Sequence, residues 1–198
     1  LGHGYVSLEQ GVEGKGWKTV WPHMLETVKS DAELHSQFFK HEGRIKNLPN
    51  LYLDTSELST NRPTLEQESL YLYENSLFSL VTETTYAFKK VNNSRFFSEK
   101  IFKPIYMGHP FVYVAPSNSL ELLRSLGYKT FHPFIDESYD TEYDGVQRLK
   151  KIVQEVKRIS NFNPQQIKEF CENVKPICTH NKNVLQSRSS QVKIIRTL

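Results

Sequence analysis

The sequence predicts an α/β protein with a mostly parallel sheet, flanking helices and further helices toward its C-terminal end. Three observations carry this. Between Leu77 and Ser160, apolar runs of strand length alternate with stretches of helical periodicity. Phe111-Val112-Tyr113-Val114-Ala115 is almost continuously apolar, the pattern of a strand covered on both faces. Val146, Leu149, Ile152, Val153, Val156 and Ile159 recur at the spacing of one helix face.

The elements follow in chain order. The first 16 residues hold five glycines and read as loop. Met24, Leu25, Val28, Leu34, Phe38 and Phe39 allow one helix or two short ones between Val20 and Phe39. Leu48 to Leu53 reads as a short strand entering the Ser/Thr-rich loop Asp54–Pro63, and Leu65 to Tyr73 as a helix. Leu77 to Glu83 is predicted as a buried strand with an acid at its C-terminal end, and Tyr86 to Phe96 as a polar, basic loop. Ser98 is the expected N-cap of the next helix, and Pro104 within that helix predicts a kink or a short first segment. Gly108 turns the chain into the Phe111–Ala115 strand. Ser117–Leu126 is a helix closed by Gly127, and Tyr128–Phe131 a further short strand. After the acidic stretch Asp136–Asp144 comes the periodic helix. Asn163-Pro164 then opens a last one, with proline where its missing N–H costs little and Ile167, Phe170, Cys171 and Val174 as the inner stripe.

Composition sets limits. The chain has 198 residues, 38% hydrophobic, 12% aromatic and 24% charged, enough to bury a core. A formal charge of +3 and a pI near 8.7, with basic residues scattered, do not make a nucleic-acid-binding stripe. No run approaches the ~20 apolar residues of a membrane helix, and no signal peptide opens the sequence. Cys171 and Cys178 stand two turns apart on the last helix, roughly 10 Å between Cα atoms at ~1.5 Å per residue, beyond disulfide reach. Two reduced core thiols are therefore expected, and with them a cytoplasmic setting. The sequon Asn92-Asn93-Ser94 is expected to go unused.

The candidate chemistry lies where strand meets helix. In open α/β sheets ligands bind at the C-terminal ends of strands. Glu83 ends one strand, and Ser98, Glu99 and Lys100 open the helix that follows it. Lysines and free backbone N–H groups at a helix start suit a diphosphate, and a nearby acid suits ribose or sugar hydroxyls. Arg95 would add a phosphate contact. A plainer account competes: Glu99 favours the helix dipole and pairs with Lys103 at i,i+4. Glu83 resists that account, because an acid directly after a buried strand is costly unless solvated or paired. The five acids Asp136, Glu137, Asp140, Glu142 and Asp144 read first as a solvated turn. His109 reads as a packed turn histidine. The seven histidines show no zinc-ligand spacing, and no Asp-x-Asp occurs to hold a cation on a diphosphate, so no metal and no cofactor is expected.

These motifs resemble known enzymes. Tyr73-Glu74-Asn75-Ser76 followed by Ser98-Glu99-Lys100 is similar to the paired E-N-S and T-E-K segments of α1,3-fucosyltransferase-like enzymes. The run Val81-Thr82-Glu83-Thr84, Ser98 through Phe111, Leu126-Gly127-Tyr128-Lys129-Thr130-Phe131 and Ile135-Asp136-Glu137-Ser138-Tyr139-Asp140 resembles a group of virus-encoded and bacterial glycosyltransferases. The resemblance implies a Rossmann-like domain, the donor-binding half of a GT-B fold. Residues 61–198 would bind a nucleotide diphosphate sugar, and residues 1–60 would be the remnant or edge of an acceptor domain. It implies that Glu99 holds ribose and that Lys100, with Arg95 and Lys103, faces the diphosphate. Glu83 and Ser98 belong to the same pocket, and Tyr73 and Asn75 mark a further candidate site. The activity implied is metal-independent transfer of a hexose or deoxyhexose to a glycan or glycoprotein acceptor. The alternative is a nucleotide- or glycan-binding module without turnover. No residue stands out as the catalytic base.

Overall fold

A computed structural model describes residues 25–46, 68–83, 86 and 97–197. The glycine-rich start, the Leu48–Leu53 strand, the Asp54–Pro63 loop, Arg95 and the Asn92 sequon lie outside the described residues. The chain divides into two compact units, one over His3–Glu68 and one over Ser69–Leu198 together with Leu1–Gly2.

In the first unit the described structure is helix α1, Ala32–Lys46, preceded by a helical turn over residues 25–28. The sequence allowed one helix or two here, and the break falls at Lys29–Asp31. Asp31 caps α1: its Oδ1 accepts the Leu34 N–H at 3.0 Å and its carbonyl the His35 N–H at 2.9 Å. Val28 and Leu34 are buried.

The second unit is mixed α/β. Its described elements are α2 (Glu68–Glu74), β1 (Ser79–Thr82), α3 (Glu99–Met107), β2 (Phe111–Val114), α4 (Ser119–Ser125), α5 (Gly145–Ser160) and α6 (Pro164–Thr197). β1 and β2 pair in parallel, Ser79 opposite Phe111 and Thr82 opposite Val114, so β1–α3–β2 is one crossover unit. Helices flank this small sheet: α3 packs on β1 and α6, and α5 packs on β2. Ile101 and Ile105 from α3, Val112 and Tyr113 from β2, Leu120, Leu123, Ile135, Ile152, Ile159, Phe170 and Val174 share one core. Phe131 meets Phe111 edge-on at 4.9 Å. No described helix is long and apolar enough to cross a membrane.

Several local rules hold as read. Ser98 is the N-cap of α3, and Gly108 ends it at φ +69°, the left-handed conformation in which a side chain would be strained. Gly127 closes α4 at φ +84°. Asn163 and Gln166 cap α6 reciprocally, each side chain 2.9 Å from the other's backbone N–H.

Other expectations are corrected. Pro104 lies inside α3, which runs unbroken from Glu99 to Met107, so there is no separate short first segment. β1 is not buried on both faces: Val81 points inward, while Leu80 is 50% exposed. The inner face of α5 carries Arg148 and Glu155 among its buried residues, and Val153 lies outside it. On α6, Ile167 and Cys171 are exposed, and the buried row runs Phe170, Val174, Cys178 and Asn181.

The largest correction is at Tyr128–Phe131, which is not a strand. Tyr128, Thr130 and Phe131 are buried as a strand's residues would be, but among the described residues no strand takes their backbone bonds. Side chains do it instead. Asn181 of α6 accepts the Lys129 N–H at 2.7 Å and donates its amide to the Lys129 carbonyl at 2.8 Å, so one side-chain amide serves both backbone polar groups of that residue, as a neighbouring strand would. Glu137 accepts the Phe131 N–H at 2.6 Å.

Candidate functional site

The C-terminal ends of β1 and β2 converge on Glu83. The Glu83 N–H still pairs with the Val114 carbonyl at 3.0 Å, which fixes the residue at the end of the sheet. Its buried carboxylate accepts the Tyr113 hydroxyl at 2.7 Å, the Ser98 hydroxyl at 2.7 Å and the Ser98 N–H at 3.3 Å. Burial pushes this carboxyl up, but the bonds from Ser98 and Tyr113 and the charge of Lys100 outweigh it and hold it below the usual range. Ser98 acts in both directions: its hydroxyl donates to Glu83 and accepts the Lys100 N–H at 3.3 Å. Glu83 thus ties the end of β1 to β2 and to the first turn of α3. The energetic difficulty of an acid at this position is solved by pairing, not by solvent. Burial and the Glu83 charge together drive the Tyr113 hydroxyl far above its ordinary value, so it stays a donor.

Lys100 is half-buried beside this network, and Lys103 is exposed one turn along. Glu99 opens α3, but its side chain lies outside the described set, as does Arg95, so neither the ribose contact nor the Glu99–Lys103 pair is on view. The backbone N–H groups expected for a diphosphate are partly engaged already, Ser98 on Glu83 and Lys100 on Ser98. The same holds at the starts of α4 and α5. Asp140 accepts the Leu120 and Glu121 N–H groups of α4 at 2.9 and 3.0 Å, and Asp144 those of Val146 and Gln147 on α5 at 2.8 and 3.0 Å. Positive charge for an anionic ligand must therefore come mainly from side chains.

The acidic stretch is not a solvated turn throughout. Asp136 and Asp144 are exposed, but Asp140 is buried and the Glu137 side chain nearly so. Glu137 accepts from Thr130 Oγ1, the Phe131 N–H and Arg124, and Asp140 lies 3.8 Å from the same guanidinium. Burial pushes both carboxyls up, against the hydrogen bonds and Arg124. Glu137 is inside as the acceptor for the Phe131 N–H, and Asp140 as the acceptor for the first-turn N–H groups of α4. Nearby, Asn118 ends the loop after β2 at φ +61°. Its N–H meets the Asp140 carbonyl at 2.6 Å and its amide donates to the Tyr143 hydroxyl at 3.1 Å. Arg148, fully buried, places its guanidinium 4.4 Å from the centre of the Tyr86 ring and donates to the Tyr86 and Glu142 carbonyls. It anchors the segment that follows Glu83 to α5.

Tyr73 and Asn75 stand apart from this site. They belong to the start of the strands, the end opposite Glu83. The Tyr73 ring meets His109 edge-on at 5.3 Å, and the Asn75 amide bonds locally to the Tyr71 carbonyl. His109 is buried between Ser76 and Ser79, with Nε2 2.9 Å from the Ser76 carbonyl and Nδ1 3.0 Å from the Ser79 hydroxyl. The carbonyl puts the proton on Nε2, and Nδ1 accepts from Ser79. Burial lowers its pKa despite the carbonyl bonds, so it is a neutral structural pin.

Sequence reasoning missed Tyr113, Asp140, Asn181 and the Arg148–Tyr86 pair. Each acts on a residue at least 20 positions away, and no local spacing announces such a contact. Among the described residues, no group of three His, Cys, Asp or Glu side chains is placed to hold a metal ion. No family model matches the chain, and no curated protein or solved structure matches it.

Proposed function

We propose that this chain is the donor-binding part of a metal-independent glycosyltransferase of Rossmann-like, GT-B type, using a nucleotide diphosphate sugar and a glycan acceptor. The observation that carries the reading is the Glu83–Ser98–Lys100 arrangement. A helix start is locked to the C-terminal end of a parallel strand pair, and a half-buried lysine stands in its first turn. The order and spacing of the sequence motifs supply the rest. In this reading Glu83, Ser98 and Tyr113 hold the helix start in place and Glu99 takes the ribose hydroxyls. Lys100, Lys103 and Arg95 neutralise the diphosphate as it departs. A separate base deprotonates the acceptor.

Calorimetry with UDP-, GDP- and dTDP-sugars in EDTA tests this. Binding of at least one is expected, with Lys100→Ala weakening it about tenfold or more, as for a charge-assisted contact, and leaving the fold intact. Binding that appears only on adding magnesium or manganese sinks the metal-independent reading. Helix starts capped by the chain's own acids favour a second reading, a binding module without turnover. Binding with no donor hydrolysis and no transfer to any glycan would select it.

A further inference from the structure

We propose that Tyr113, inside the sheet, is a positioning residue for the bound nucleotide: it fixes the opening of α3, and Lys100 with it, by two separate contacts. This rests on the nucleotide-binding reading above. The Tyr113 hydroxyl donates to one oxygen of Glu83 at 2.7 Å, and the other oxygen takes the Ser98 hydroxyl at 2.7 Å. The Tyr113 ring stacks on Phe97, the residue before Ser98, with centres 6.4 Å apart and planes at 30°. One side chain thus reaches the cap of α3 through a carboxylate and the residue before the cap through a ring. Tyr113 is itself held along its whole length. It pairs with Val81 across the strand ladder, and its N–H meets the Tyr139 hydroxyl at 3.3 Å. Its ring stands edge-on to Phe111 at 6.5 Å, and the residue is 1% exposed. A group fixed at every point passes on position instead of absorbing it.

The hydroxyl is what sets this residue apart from a core filler. Phe111 and Val112 beside it are buried without a polar atom on their side chains, and a ring alone would fill the same space. A buried hydroxyl is costly unless bonded, and the bond it makes leads to α3. From there the line continues through Ser98, which accepts the Lys100 N–H at 3.3 Å. A small shift of that first turn moves every group it would present to a diphosphate, and contact energy falls steeply with misplacement. The charged and titratable groups around Glu83 are Lys100 on α3 and Tyr113 on β2, with Ser98 as the further donor. A hydroxyl that donates to a carboxylate favours its charged form. Without the Tyr113 hydroxyl, Glu83 takes up a proton at higher pH and loosens its hold on Ser98.

The test measures binding of UDP, GDP and dTDP by calorimetry to wild type, Tyr113→Phe, Ser98→Ala, Ser98→Thr, Lys100→Ala and the Tyr113→Phe/Lys100→Ala double variant. Tyr113→Phe is expected to weaken the nucleotide that wild type binds by about threefold or more, within the roughly 2- to 30-fold range of residues that act on a ligand they do not touch. In the Lys100→Ala background the same change should cost less than about twofold, because the contact it serves is already gone. The ratio of wild-type to Tyr113→Phe affinity should widen as pH falls toward the ordinary glutamate value of about 4.3, which a merely looser core would not produce. If Tyr113→Phe does not fold, the serine pair decides. Ser98→Ala breaks the same line of bonds at α3 and should weaken binding, while Ser98→Thr keeps the hydroxyl and should stay within about twofold of wild type. Equal affinity in wild type and Tyr113→Phe, an undiminished loss in the Lys100→Ala background, a ratio constant with pH, or equal effects of the two Ser98 variants overturns the positioning role and leaves the donor site standing. No nucleotide binding by wild type removes both readings.

Discussion

Replacing Asn181 by alanine tests how the protein satisfies backbone groups that no described strand takes. The Asn181 side chain is 1% exposed and makes two short hydrogen bonds to the backbone of Lys129, 52 residues earlier. Alanine removes both partners at once and leaves an N–H and a C=O in a partly buried site. An unsatisfied buried polar group costs about 1–3 kcal/mol, and partial access of water keeps both groups toward the lower end of that range. The expected loss is about 2–4 kcal/mol, read as a lower urea midpoint at unchanged slope. In a chain of this size it is a fall of roughly 4–16 °C in melting temperature. Asn181→Asp adds a sign. One carboxylate oxygen keeps the bond from the Lys129 N–H, but the other is set against the Lys129 carbonyl, so the ionised form is disfavoured and the folded-state pKa rises. That variant should be most stable below the unfolded carboxyl value of about 3.9 and lose stability as pH rises through the raised folded value. A loss under about 0.5 kcal/mol for Asn181→Ala, or a pH-independent deficit for Asn181→Asp, would refute the peptide-mimic account.

Two further outcomes are expected. Glu83→Gln should destabilise the protein by about 1–3 kcal/mol at pH 7, because the bonds from Ser98 and Tyr113 lose their charged acceptor. The folded-state pKa of Glu83 is depressed, so its contribution is present above the unfolded value and lost as pH falls through the folded one. The gap between wild type and Glu83→Gln should therefore close in acid, and a gap constant from pH 7 to pH 3 contradicts the assignment. Iodoacetamide on the native protein should label the exposed Cys171 first. Cys178, whose thiol burial pushes up to about 12, should react only with unfolding; equal rates would place both thiols alike.

What was legible in the sequence was what short-range chemistry decides. Ser98, Gly108, Gly127 and Asn163-Pro164 mark helix ends because caps and left-handed turns act within a few residues. The Phe111–Val114 strand was legible because an apolar run of that length has few other uses. The site was legible only as a neighbourhood. Glu83 and Ser98 could be placed near one another by strand-then-helix logic, but Tyr113, inside an apolar run, gave no sign that its hydroxyl meets Glu83. Arg148 and Glu155 defeated the periodicity argument, since a hydrophobic stripe assigns them to water. Tyr128–Phe131 has a strand's hydrophobicity, and only the side chains of α6 and of the acidic stretch make a strand unnecessary there.

The Lys129–Asn181 bond also bears on how the chain is made. Synthesis delivers β1, α3 and β2 before the side chain that satisfies Lys129 and the helix that packs on α3. At about 5–20 residues per second, roughly 3–13 s separate the appearance of Val114 from that of Asn181. For most of that interval Ile101, Ile105 and Phe111 lack the row Phe170, Val174 and Cys178 that completes their shared core. A nascent chain at this stage exposes apolar surface that α6 covers once it is made.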